Sequence, residues 1–73
     1  MQLPLLSGKE LIKTMAKIGY APVWQKGSHI RLARKGRPSI TIPDYRLIDR
    51  SLLKRILRQA NLSEEDFFDL FGD

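Results

Sequence analysis

The sequence predicts an α+β domain in which helices cover one face of a three-stranded antiparallel sheet. Two observations support this fold class. Helical and strand periodicities follow one another in the order α-β-β-β-α, and a short further helix follows at the C-terminus. The strand segments are joined by short turns that contain Gly, and turns of this length connect antiparallel neighbours. A chain of 73 residues has room for one small core, so residues 1–73 are interpreted as a single domain.

The first helix is expected to begin at Ser7, because the residues from Ser7 to Glu10 form a capping box. In this motif the serine hydroxyl accepts a hydrogen bond from the third helical amide, and the glutamate carboxylate accepts one from the cap amide. Gly19 is expected to end the helix in the left-handed conformation. Between these residues an apolar stripe at helical spacing predicts one buried face: Leu11, Ile12, Met15 and Ile18.

Two strands are predicted on either side of Gly27. Residues 20–26 are rich in strand formers, and Pro22 removes one ladder donor, which favours a position at the edge of the sheet. Residues 28–34 alternate between apolar and polar side chains, as expected for a strand that is covered on one face only. The predicted inward residues are Ile30 and Leu32, and the predicted outward residues are His29, Arg31 and Ala33.

A third strand is predicted over residues 39–43, after a hairpin connection formed by Lys35-Gly36-Arg37-Pro38. Ile40 and Ile42 are expected to point inward. Three strands joined by short turns form a meander. Helices that cover one face of this meander leave the other face open, as in double-stranded-RNA-binding domains.

The second helix is expected to begin after Asp49, a preferred N-cap residue, and Asn61 is expected to end it in the left-handed conformation. Ser63 is predicted to cap a last short helix. The apolar stripe of the second helix contains Leu53, Ile56, Leu57 and Ala60, and the last helix is expected to close the core with Phe67, Phe68, Leu70 and Phe71.

The chain is basic, with 13 Lys and Arg against 8 Asp and Glu and a net charge of +5. Most basic residues lie between Lys26 and Arg58, and the acidic residues concentrate near the C-terminus. This distribution favours a polyanionic partner, most often a nucleic acid, although solubility alone would also explain it. Arg50, Lys54 and Arg58 recur at i,i+4 spacing, where like charges repel, so we interpret them as residues that bind an anion.

The residue types exclude several classes of protein. The chain has no cysteine and one histidine, so neither a disulfide framework nor a protein metal site is expected, and no small-molecule cofactor is predicted. The apolar run at residues 1–6 is too short for a signal peptide or a membrane span. A cytoplasmic protein without membrane contact is therefore expected.

His29 is the candidate catalytic residue. Imidazole side chains exchange protons near neutral pH, and His29 follows a Gly turn, with Lys26 before the turn and Arg31 on the same strand face. Nothing shields the backbone amides at Gly27 from a phosphate oxygen. RNA supplies its own nucleophile, the 2′-hydroxyl, so one imidazole and a few cations can promote its cleavage without a metal ion.

Several alternatives stay open on the residues alone. An exposed histidine is often only a surface residue, and a non-catalytic RNA-binding module or a protein-interaction domain would have the same composition. Trp24 and Tyr45 would either stack on bases or pack structurally. Ser28 is a poor candidate for a nucleophile activated by His29, because the two residues are neighbours on the strand and their side chains point to opposite faces. The residues predicted to contact RNA are Lys26, Gly27, Ser28, Arg31, Lys35, Arg37, Arg50, Lys54 and Arg58.

A resemblance to a known family rests on a series of motifs and on their order: Ser7-Gly8-Lys9-Glu10-Leu11, Gly19-Tyr20, Gln25-Lys26-Gly27-Ser28-His29, Ile42-Pro43 and the segment from Leu53 to Ala60. From about residue 7 to residue 71 the chain resembles the HicA-type toxins of toxin–antitoxin systems, also called YcfA-like mRNA interferases. The order of the motifs is more specific than the Gly-Ser-His triplet alone.

The resemblance implies a domain of double-stranded-RNA-binding fold that acts as the toxin of a type II toxin–antitoxin system. It implies cleavage of mRNA without a metal ion, with His29 as the catalytic residue and with Gly27 and Ser28 shaping its turn. It also implies a HicB-type antitoxin as the protein partner that covers the active face. Two positions depart from the family pattern. Asp44-Tyr45 stands where many members have a second histidine, and Asn61 stands where glycine is usual.

Overall fold

The structure is a computed structural model that describes residues 2–72. Its elements are α1 (Gly8–Ala16), β1 (Ala21–Lys26), β2 (His29–Arg34), β3 (Arg37–Pro43), α2 (Arg50–Gln59) and α3 (Glu64–Phe71). The strands form one sheet in the order β1-β2-β3, and both pairs are antiparallel. The predicted α+β fold, its element order and its meander are confirmed.

The helix ends follow the capping signals of the sequence. Ser7 and Glu10 form both hydrogen bonds of the capping box, with the Glu10 amide donating to Ser7 Oγ at 3.1 Å and the Ser7 amide donating to Glu10 Oε1 at 2.8 Å. The Asp49 carboxylate accepts from the Leu52 amide at 2.8 Å, and Ser63 caps α3 in the same way. The predicted left-handed residues have φ angles of 95° at Gly19 and 55° at Asn61.

The core lies between the sheet and the helices. Ile30 and Leu32 of β2 are buried, whereas His29, which precedes Ile30, and Arg31, which lies between the two, are exposed. The helices therefore cover one face of the sheet only. Many of the predicted inward residues of the other elements are also buried: Leu11, Met15, Ile40, Ile42, Leu53, Ile56, Leu57, Ala60 and Phe67. The rest are partly buried and pack against this core: Ile12, Ile18, Phe68, Leu70 and Phe71.

The segment before α1 contributes to the core, which the sequence did not predict. Leu3 and Leu6 are each 2% exposed. Leu6 forms an isolated antiparallel bridge with Ile48, whose amide donates to the Leu6 carbonyl at 2.7 Å. The Arg50 guanidinium donates to the Leu3 carbonyl at 2.6 Å. A single bridge has no periodicity, so the pattern of the sequence does not reveal it.

The predicted connection between the second and third strands is too long. Only Lys35 and Gly36 form the turn, and Gly36 has a φ of 85°. Arg37 pairs with Arg34, so β3 begins at Arg37 and includes Pro38. The proline is tolerated because β3 is an edge strand, where a ladder donor is missing at low cost. In the described chain no helix is long and apolar enough to cross a membrane.

Candidate nucleic-acid interface

His29 is the first residue of β2 and is exposed. It pairs with Lys26 of β1 on one side and with Pro43 of β3 on the other. The next residue, Ile30, is buried under the helices, and neighbours on a strand point to opposite faces. The imidazole therefore lies on the open face of the sheet, as predicted.

A two-residue turn, Gly27-Ser28, joins Lys26 to His29. Gly27 has a φ of 58° and Ser28 has a negative φ, which is the pattern of a type II′ hairpin turn. The Gln25 side-chain amide donates to the Gly27 carbonyl at 2.9 Å. A Cβ atom built on Gly27 would meet no atom within 4 Å, so the space beside this backbone is open to a ligand.

The loop after β3 is held against this turn. The Asp44 amide donates to the Ser28 carbonyl at 2.6 Å, and the Gly8 amide donates to the Tyr45 carbonyl at 2.8 Å. A Cβ atom on Gly8 would overlap the Pro43 carbonyl oxygen. The absence of a side chain at Gly8 thus lets the first turn of α1 contact the loop that borders His29.

The residues that share the open face with His29 are given by the strand register. Lys26 lies opposite His29, and Arg31 is two residues further along β2. Arg31 lies between Trp24 of β1 and Thr41 of β3. Directly opposite residues have Cβ atoms about 5 Å apart, and diagonal neighbours lie about 7–8 Å apart, with their Cβ atoms somewhat closer. We call this surface the His29 face, and its members are Trp24, Lys26, His29, Arg31 and Thr41.

Lys35 and Arg37 lie at the other end of the sheet. Lys35 is six residues after His29 along an extended strand, which places it roughly 20 Å away at about 3.3 Å per residue. The Arg37 guanidinium donates to the carbonyls of Ala60 and Asn61, at 2.9 and 3.4 Å. Arg37 is therefore bonded to the C-terminal end of α2, and the structure does not bring either residue to His29.

The three predicted residues of α2 are also separate from the His29 face. α2 packs on β3 through its buried stripe, which lies on the covered face of the sheet, so the sheet stands between this helix and the imidazole. Arg50 is bonded to the N-terminal segment as described above. Lys54 and Arg58 are exposed, and they line an open cavity of about 350 Å³ between α2 and α3 with Leu57, Leu62, Ser63 and Glu64.

The predicted RNA-binding residues therefore fall into two groups. Lys26, Gly27, Ser28 and Arg31 surround His29, whereas the other predicted RNA-binding residues lie elsewhere. Sequence reasoning missed the contribution of Gly8 and of the loop at residues 43–45. Gly8, Pro43 and Asp44-Tyr45 belong to segments that the sequence analysis singled out, but neither hydrogen bond of this loop follows from a local pattern.

Metal-binding chemistry has no obvious donor set in the described residues. No group of three or more His, Cys, Asp or Glu side chains within residues 2–72 lies close enough together to hold an ion.

Comparison with known proteins identifies a family. A family model described as the HicA toxin of bacterial toxin–antitoxin systems matches residues 8–62, which is more than half of the chain. No curated protein and no solved structure matches. The matched segment runs from the first residue of α1 to the second residue after the α2 cap and contains the whole sheet.

Proposed function

Because the chain belongs to the HicA family of toxins from bacterial toxin–antitoxin systems, we propose that it is an endoribonuclease that cleaves mRNA on the His29 face. The observation that carries the proposal is an exposed imidazole on an open sheet face, paired across a hairpin with Lys26. The HicA toxins are known as mRNA-cleaving proteins, and His29 is the one histidine of this chain. An activity on mRNA would take place in the cytoplasm.

The proposed reaction is an internal transfer at one phosphodiester. The ribose 2′-oxygen attacks the adjacent phosphorus while the bond from phosphorus to the 5′-oxygen breaks, which leaves a 2′,3′-cyclic phosphate and a free 5′-hydroxyl. The neutral His29 imidazole accepts the proton of the 2′-hydroxyl, and the resulting imidazolium gives a proton to the departing 5′-oxygen. Proton transfer by a positioned side chain contributes about 10²- to 10⁴-fold in rate.

Charge stabilisation is assigned to the neighbours of His29. The attack adds negative charge to the non-bridging phosphate oxygens, and the cations of Lys26 and Arg31 lie on the same face as the imidazole. The open backbone at Gly27 lets a phosphate approach the turn closely. Fixed cations and amides that point at developing charge supply electrostatic stabilisation without reorganising during the reaction. This chemistry needs no metal ion, since the nucleophile belongs to the RNA.

A HicB-type antitoxin is the proposed protein partner, and it would cover the His29 face. Val23 and Trp24 on the adjacent edge strand are 61% and 55% exposed, so a partner that covers this face would also bury apolar surface. Amide hydrogen exchange of the toxin, alone and with the antitoxin, tests this contact. Protection of β1 and the Gly27 turn is expected, and protection confined to α2 would contradict it.

Cleavage of a labelled transcript in excess chelator tests the nuclease itself. The wild-type protein is expected to cut the RNA, and its expression is expected to arrest growth. The His29→Ala protein should do neither, with an unchanged circular dichroism spectrum, because an exposed side chain contributes little to stability. A wild-type protein that binds RNA without scission over long incubation would instead favour a non-catalytic RNA-binding module.

A further inference from the structure

Trp24 is exposed to a degree that the fold does not explain. It exposes 55% of its surface, although a tryptophan ring gains more by burial than most side chains. The ring contacts in the described part of the chain join Phe67 to Phe68 and to Phe71 in α3, and none includes Trp24. Core packing therefore gives no reason for an indole at this position.

The backbone places Trp24 beside the proposed catalytic group. The pairing of β1 with β2 shifts register between Pro22 and Trp24, and β-bulges of this kind re-aim a side chain. After the shift, Trp24 lies opposite Arg31, and Lys26 lies opposite His29. Trp24 is thus a diagonal neighbour of His29, and such residues lie about 7–8 Å apart, with their Cβ atoms somewhat closer. This span is comparable to that from a base to the phosphate of the same nucleotide.

We propose that Trp24 is a stacking platform for one unpaired base next to the scissile bond, and that the substrate of the His29 face is single-stranded RNA. The proposal rests on the proposed function and specifies its substrate class. An indole offers a flat π-surface to any base, and the adjacent Arg31 cation is placed to bind the neighbouring phosphate.

Duplex RNA does not fit this arrangement. In an A-form helix the bases are stacked on one another, and proteins contact the backbone and the minor groove. Only a base that has left such a stack presents a free face to Trp24. The double-stranded-RNA-binding fold alone would favour duplex RNA, so the exposed indole reverses the expected preference.

Intrinsic fluorescence tests the stacking directly, because Trp24 is the one tryptophan of the chain. The His29→Ala protein, which leaves the RNA uncut, is titrated with an unstructured RNA about ten nucleotides long and with the same strand annealed to its complement. Labelled RNA anisotropy verifies binding in each case. Saturable quenching by the single strand and little quenching by the duplex are expected. Equal quenching by both, or no quenching at saturation, would overturn the proposal.

Substitution at Trp24 tests its energetic role in the same His29→Ala background. Trp24→Ala should weaken single-strand binding by about 5- to 150-fold, and Trp24→Phe should retain most of the affinity. Val23→Ala is the matched control, because Val23 is a similarly exposed apolar neighbour without a π-surface, and it should leave the affinity within about twofold. If Trp24→Phe binds no better than Trp24→Ala, stacking is rejected.

The two proposals fail in different ways. RNA cleavage by the wild type together with unchanged binding by Trp24→Ala would reject the stacking platform and keep the nuclease. Quenching and weakened binding without any cleavage by the wild type would reject the nuclease and keep a single-strand binding site.

Discussion

Replacement of Gly8 by alanine separates two opposite expectations for the stability of this domain. Helix propensity alone predicts that Gly→Ala in a helix stabilises by up to about 1 kcal/mol. The structure predicts the reverse, since the added Cβ would overlap the Pro43 carbonyl oxygen and displace the Tyr45 carbonyl from the Gly8 amide. Overpacking costs about 1–3 kcal/mol, and breaking one hydrogen bond costs about 1 kcal/mol.

A net destabilisation of about 1–3 kcal/mol is therefore expected for Gly8→Ala. In a domain of this size each kcal/mol lowers the melting temperature by roughly 4–8 °C. Thermal and urea unfolding followed by circular dichroism measure the change, and Lys9→Ala, an exposed substitution in the same helical turn, is the control and should stay within about 0.5 kcal/mol of the wild type. A Gly8→Ala protein that is as stable as the wild type would refute the close approach of α1 to the loop.

Three further predictions concern single side chains. Arg37→Ala should lower the free energy of unfolding by about 1.5–3 kcal/mol, because the Arg37 guanidinium donates to two carbonyls at the end of α2. The substitution should leave the cleavage rate of the folded protein unchanged, and slower cleavage by a fully folded variant would contradict this. Lys26→Ala or Arg31→Ala should weaken RNA binding and reduce the slope of log affinity against log salt by about 0.7 for each phosphate that the variant no longer neutralises. Lys35→Ala, at the other end of the sheet, is the control and should change the slope less. Equal slopes in all three variants would count against RNA binding on the His29 face. Tyr20→Phe should destabilise by about 1 kcal/mol in urea unfolding, because the hydroxyl donates to the Pro38 carbonyl at 2.8 Å, and an unchanged midpoint would show that this bond contributes nothing.

Local signals in the sequence were sufficient to predict the helices and most of the sheet. The caps at Ser7, Asp49 and Ser63 and the alternation around Ile30 depend on residues within four positions of one another, and the structure confirms them. The outward position of His29 follows from the same alternation. These features are predictable because each capping hydrogen bond forms within one helical turn, and the sheet face to which a side chain points follows from its position along one strand.

Contacts between distant segments could not be predicted in this way. The Leu6–Ile48 bridge and the bond from Arg37 to the end of α2 join residues that are more than twenty positions apart. For the same reason charge alone groups the cations of α2 with His29, although the sheet separates them in space. Charge and spacing indicate which residues are exposed, but the tertiary fold decides which exposed residues share a face.

In the proposed reaction the His29 imidazole transfers protons during attack by the ribose 2′-hydroxyl. Single-turnover cleavage of an unstructured RNA in excess chelator, with analysis of the product ends, tests it most directly. The products are expected to carry 2′,3′-cyclic phosphate and 5′-hydroxyl ends, and the cleavage rate should fall by about 10²- to 10⁴-fold in His29→Gln. Products with 5′-phosphate ends, or a His29→Gln protein that cuts at the wild-type rate, would contradict it.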